Sequence, residues 1–116
     1  FCFDLDGVIC SNTRYKNSNL INYKKSKPIR SAIIAINKLY DDGHTIVIYT
    51  SRGMTRYNGD ISLIKKKLYK ITTNSFKSWK LKYHKLVFGK IYYDFIIDDK
   101  SINYSSNWTK IIFKKV

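Results

Sequence analysis

The sequence predicts an α/β fold, a mostly parallel sheet flanked by helices and built as one domain over residues 1–116. Short β-branched and apolar runs alternate with stretches whose apolar residues recur at helical spacing, the pattern of βαβ units. A length of 116 residues matches one domain. With 44% apolar and 16% aromatic residues, the chain has material for a packed core and does not read as a disordered tail.

Each element follows in order. Phe1–Leu5 reads as a buried strand that stops at Gly7. Ser11 to Lys27 is polar and reads as a loop with at most a short turn. Pro28 opens a helix, at the first-turn position that proline tolerates. Ile29, Ala32, Ile33, Ile36, Leu39 and Tyr40 form its apolar stripe, and Asp42-Gly43 ends it. Thr45–Tyr49 is a buried strand, and Ser51–Asp60 a loop. Ile61–Tyr69 is a weaker helix, and Thr72–Trp79 fits no single pattern. Leu81–Phe88 contains a strand, and Tyr93–Ile97 is another, closed by Asp98-Asp99. The tail holds a short helix and a last strand near Ile111–Phe113.

Composition narrows the function. Lys plus Arg is 22 and Asp plus Glu is 8, a net charge of +14, and every acid is Asp. Such a balance favours anionic partners: nucleic acid, anionic lipid or a phosphorylated substrate. The lysines are dispersed, however, and Asn, Ile and Tyr are abundant too, so biased composition and a solvated surface explain most of the charge. No apolar run approaches the roughly 20 residues of a membrane span. Phe1–Asp6 does not read as the start of a signal peptide. Cys2 and Cys10 are the only cysteines, with no CxxC, and Cys2 is expected to pack as a small hydrophobe in a reduced, cytoplasmic protein.

In a parallel sheet, ligands bind at the carboxyl ends of the strands. Four segments fall on that rim: Asp4-Leu5-Asp6-Gly7, Thr50-Ser51-Arg52-Gly53, Gly89-Lys90 and Asp98-Asp99. The carboxylates of Asp4, Asp6, Asp98 and Asp99 make a hard-oxygen set suited to Mg²⁺. A hydroxyl, from Thr50 or from Ser51 if the register shifts by one, can hold phosphate oxygens, and Lys90 can offset their charge. Asp4 can attack phosphorus, and Asp6 can protonate the leaving oxygen and then take a proton from water. Arg52 can read a substrate anion or serve the structure. His44 and His84 lack zinc-ligand spacing, and His84 reads as structural. Tyr83, Phe88, Tyr92, Tyr93 and Phe95 read mainly as core. No GxxxxGK[ST] and no GxGxxG occurs, which excludes the P-loop and dinucleotide readings.

Phe3-Asp4-Leu5-Asp6-Gly7-Val8 resembles the first motif of the haloacid dehalogenase (HAD) superfamily. Ile46–Thr50 resembles the second, Lys90 the third-motif lysine, and Ile96-Ile97-Asp98-Asp99 the fourth. The resemblance runs from Phe1 to about Asn103. Thr50–Met54, His84–Lys90, Tyr92-Tyr93-Asp94 and Ile97-Asp98-Asp99-Lys100 are similar to a small capless subgroup named for capsule-biosynthesis phosphatases, with Ile91 where that subgroup has proline. The resemblance implies a Rossmann-like, HAD-type sheet without a large cap, and a Mg²⁺-dependent phosphatase with an aspartyl-phosphate intermediate. Asp4 is then the nucleophile and Asp6 the general acid/base. Asp4, the Asp6 carbonyl and Asp98 hold Mg²⁺, Asp99 assists through water, and Thr50 and Lys90 bind phosphate.

The expected substrate is a small phosphorylated metabolite, such as a sugar phosphate of polysaccharide biosynthesis. Its open edge leaves room for a neighbouring copy in a homo-oligomer. Nucleotide or polynucleotide-end phosphatase activity is the first alternative, motivated by the charge but disfavoured by its dispersal. A non-catalytic polyanion-binding module is the second, and the filled motifs argue against it. No membrane association is expected.

Overall fold

The computed structural model describes residues 1–116. Three parallel strands form the main sheet: β1 (Cys2–Phe3), β4 (Val47–Thr50) and β5 (Lys85–Phe88), in the order β1-β4-β5. Between β1 and β4 lies a small antiparallel pair, β2 (Cys10–Ser11) with β3 (Lys27–Pro28). Helix α1 (Arg30–Asp41) follows it, α2 (Ile61–Trp79) joins β4 to β5, and α3 (Trp108–Ile111) lies near the end. The fold is therefore a small α/β domain with a parallel sheet and no barrel. No helix is long and apolar enough to cross a membrane.

One sheet face carries the core. Phe3, Ile48, Ile33, Ile36, Leu39 and Phe76 belong to one buried cluster, and α3 adds Trp108, whose ring lies 5.6 Å from that of Phe3. The other face is open: Cys2 is exposed, and Tyr49 and Val87 keep 36% and 37% of their surface. Cys2 is thus not the packed hydrophobe its apolar run predicted. Side chains alternate along a strand, and its neighbour Phe3 takes the covered side.

Helix α1 starts at Arg30 and not at Pro28, because Pro28 pairs opposite Cys10 in the short ribbon, where proline is tolerated. Helix α2 runs ten residues past the expected Tyr69, to Trp79. Ile64, Leu68, Thr72 and Phe76 are all buried at four-residue spacing. Thr72 interrupts the apolar pattern, and Thr, Asn and Ser are weak helix formers, so the second half was hidden from periodicity. Asp60 caps the start by accepting from the Leu63 N–H, and Lys80 closes the end in a left-handed conformation.

Two expected strands do not form. Tyr93–Ile97 is irregular, with Phe95 at 92% and Ile97 at 101% exposure. Tyr92 is likewise exposed, so these aromatics are not core. Near the end, Ile111 closes α3 and Ile112–Lys114 is a 3-10 turn, so the stretch Ile111–Phe113 is helical. Three or four apolar residues fit a strand or a turn of helix equally well, and the contact of Trp108 with the core decides for helix.

Phe76 is 1% exposed and packs edge-on against Tyr83 at 5.0 Å. Phe76→Ala is expected to cost about 3–5 kcal/mol in chemical denaturation. A loss below about 1 kcal/mol would show that the second half of α2 does not seal this core.

Candidate active site

Three successive strand ends meet at one rim. Asp4 follows β1, Thr50 ends β4, and Gly89-Lys90 follows β5. The Lys90 N–H donates to the Thr50 carbonyl at 3.1 Å, which fixes the lysine beside the end of β4. Gly89 makes this approach possible: it sits at φ +95°, and a Cβ there would lie 2.8 Å from Ile61 Cδ1. Lys90 Nζ then stands 3.5 Å from Asp4 Oδ1 and over the Tyr93 ring. Burial works to lower the Lys90 pKa, but Asp4 and Tyr93 outweigh it and hold the ammonium above its ordinary value. Asp4 keeps part of its carboxylate open to solvent and also accepts the Leu5 N–H at 2.9 Å.

Asp6 has a different environment. In the turn after Asp4, the Leu5 carbonyl accepts from the N–H groups of Val8, Ile9 and Cys10, which curls the chain back on itself. Asp6 thereby faces Arg52, whose Nη2 donates to Oδ1 at 2.6 Å and Nε to Oδ2 at 3.2 Å. Asn12 donates to the same Oδ1 at 2.6 Å, and the Cys10 thiol lies 3.5 Å from it. Burial alone would push the Asp6 carboxyl up, but these donors, Arg52 foremost, hold it below the usual range. Beside it, burial and the Asp6 charge push the Cys10 thiol up to about 12, so Cys10 is a neutral packing group.

Of its two expected roles, Arg52 takes the structural one. Its side chain has no exposed surface and is spent on the protein, so it does not face a substrate. Thr50 is also buried, at 1% exposure, and its Oγ1 accepts the Arg52 N–H at 3.0 Å. That bond spends one lone pair of the Thr50 hydroxyl on the protein. Ser51, the next residue, keeps part of its surface in solvent. His84 is the structural histidine expected: its Nδ1 accepts the Ile46 N–H at 3.0 Å, and its ring stacks on Tyr40.

The expected four-carboxylate set is not assembled. No three His, Cys, Asp or Glu side chains come together as a metal group. Asp98 and Asp99 lie exposed in a turn, with Asp98 Oδ1 accepting the Lys100 N–H, because the strand that was to deliver them is absent. Asp6 has both oxygens engaged by Arg52. Asp4 alone remains, beside an ammonium, and this donor set does not fit a resident Mg²⁺. Sequence reasoning found Asp4, Thr50 and Lys90 at the rim but missed the Arg52–Asp6 pair. An arginine two residues past a strand end was the one available signal.

No family model matches the chain, and no curated protein does. Among solved structures, the chain is similar to a structural-genomics target from Vibrio cholerae. The two share 24% identity with a TM-score of 0.76, over 99% of this chain and 96% of that one. At this identity the likeness shows a shared fold alone.

The depressed Asp6 pKa has a stability consequence. Its contribution is fully present above the unfolded value of about 3.9 and is lost as pH falls through the lower folded value. Asp6→Asn is therefore expected to be less stable at neutral pH and to lose less on further acidification than the native chain. Urea unfolding between neutral and strongly acid pH measures this, and parallel curves for the two proteins would contradict it.

Proposed function

We propose that this chain is a phosphomonoesterase of the HAD type, with a Rossmann-like sheet, acting on a small phosphorylated metabolite such as a sugar phosphate. The observation that carries the reading is the carboxylate–ammonium pair of Asp4 and Lys90, 3.5 Å apart, at the ends of parallel strands that flank the Thr50 hydroxyl. A nucleophile, a phosphate countercharge and a hydroxyl donor on one rim are what phosphoryl transfer through an acyl phosphate requires.

In this reading the phosphate seats against Lys90, whose raised pKa keeps it charged, and against a hydroxyl at the end of β4. An Asp4 oxygen attacks phosphorus. The new O–P bond forms as the bond to the substrate oxygen breaks, and the alcohol leaves with a proton drawn from solvent. Water then attacks the phosphoaspartate, releasing inorganic phosphate and restoring Asp4. Asp6 offers Oδ2, which carries one bond from Arg52, to take the proton of that water in passing and hand it on to solvent, which returns Asp6 to its carboxylate form.

The direct test is phosphate release from a panel of sugar phosphates, nucleotides and 5′- and 3′-phosphorylated oligonucleotides, with and without added Mg²⁺. Sugar phosphates are expected to be the better substrates. Asp4→Asn is expected to lower turnover by at least about 10³-fold while the fold persists. Lys90→Ala is expected to raise KM by about 10- to 100-fold, the worth of a charge-assisted contact. Unchanged turnover in a folded Asp4→Asn protein would falsify the aspartyl-phosphate route.

A further inference from the structure

A fully buried guanidinium is unusual, and Arg52 has every arm of its side chain engaged. Nε and Nη2 grip Asp6 in a two-point fork, and Nη1 donates to Thr72 Oγ1 in α2 at 3.0 Å. The guanidinium carbon Cζ lies over the Tyr23 ring, 4.2 Å from its centre. The same residue's backbone N–H donates to Thr50 Oγ1. One residue thus reaches the turn after β1, the end of β4 and the middle of α2. Gly53 makes the placement possible: it has φ +83°, and a Cβ there would meet Leu68 Cδ1 at 2.8 Å. Any other residue at 53 would be strained at this φ, and its Cβ would require the Leu68 side chain to shift.

We propose that Arg52 is a positioning residue for this rim, fixing the orientation of Asp6 through the fork and of the Thr50 hydroxyl through its own N–H. The inference deepens the proposed phosphomonoesterase reading and rests on it. Orientation is the point of the fork. A planar guanidinium holds both carboxylate oxygens at once, so Asp6 has one rotamer, whereas a lysine at 52 would supply charge at a single point. Thr72 and Tyr23 fix the guanidinium in turn, so the direction of Asp6 is set from α2 and from the loop before β3. Arg52 acts on the reaction through Asp6 and touches no substrate.

A double-mutant cycle on p-nitrophenyl phosphate tests this. Arg52→Lys is expected to lower kcat by about 10²-fold with KM within twofold, since substrate contacts remain. Asp6→Asn is expected to lower kcat by at least as much. The double variant is expected to match Asp6→Asn alone, because the arginine has nothing left to position. Thr72→Val, remote from the rim, should lower kcat by about three- to tenfold with KM unchanged and so repeats the test should Arg52→Lys not fold. Losses that multiply in the double variant, or wild-type kcat in folded Arg52→Lys, would overturn the proposal and leave the phosphomonoesterase reading standing. A native chain that hydrolyses none of the esters overturns that reading instead. The clamp is then read in urea unfolding, where Arg52→Lys and Asp6→Asn should be coupled by more than tenfold in equilibrium constant. Additive effects there would overturn the clamp itself.

Discussion

A buried charge cannot stay alone, and the rest of this structure is arranged around that constraint. Arg52 has no exposed side-chain surface, and its guanidinium is a cation with five N–H donors and no acceptor. Its burial is tolerable only with an anion and with partners for the remaining N–H groups. Asp6 supplies the anion, Thr72 the acceptor and Tyr23 the ring face. Losing one member of such a pair typically costs about 3–5 kcal/mol, because the other is left buried and unpaired. The turn after β1, the loop before β3 and helix α2 are therefore tied to one point. This explains why a polar residue, Thr72, occupies the middle of the α2 stripe.

The tie also separates two carboxylates that lie only two residues apart. Asp4 faces the rim and a lysine, part of its surface open to water. Asp6 faces inward and is held by a fork, an amide and a thiol. Pairs of like groups gain distinct chemistry when their surroundings differ in this way. Asp4 has the access a nucleophile needs. Asp6 has a fixed position, and the donors around it keep its carboxylate charged.

Much of this was legible in the sequence, for a physical reason. The strand before Asp4, the helix 30–41 and the strand ending at Thr50 are short, strongly patterned elements with Gly turns beside them, so local pattern and tertiary burial agree. The parallel order then follows from the helices between the strands. What was not legible depends on long-range contacts. Thr72 reads as a break in the apolar stripe until Arg52 is known to bond it. Cys2 and Phe3 both read as buried until one face of the sheet proves open. Tyr93–Ile97 has the composition of a strand, yet pairs with none here, and Asp98-Asp99 stays off the rim with it. Pattern gives a segment's preference, and pairing depends on a partner edge that pattern does not describe.

Charge acts at two scales in this chain. At the rim, Asp4 and Asp6 are matched by Lys90 and Arg52, each within 3.5 Å of its partner, so the site is locally close to neutral. Around it the chain carries +14, mostly on dispersed lysines. A neutral site inside a positive field behaves differently from a basic groove. The far field draws a phosphate dianion toward the protein, and this attraction weakens beyond about 10 Å at ordinary ionic strength. Close in, a single ammonium, paired with Asp4, suits one phosphate group. A polynucleotide would need several cations along its backbone, and its affinity would fall steeply with salt. Acids are scarce in this chain, yet two of the eight are spent at the rim against cations. Were polyanion binding the purpose of the charge, those carboxylates would oppose it where a phosphate comes closest. Their presence makes sense if the anion arrives to react with Asp4 and not merely to be held.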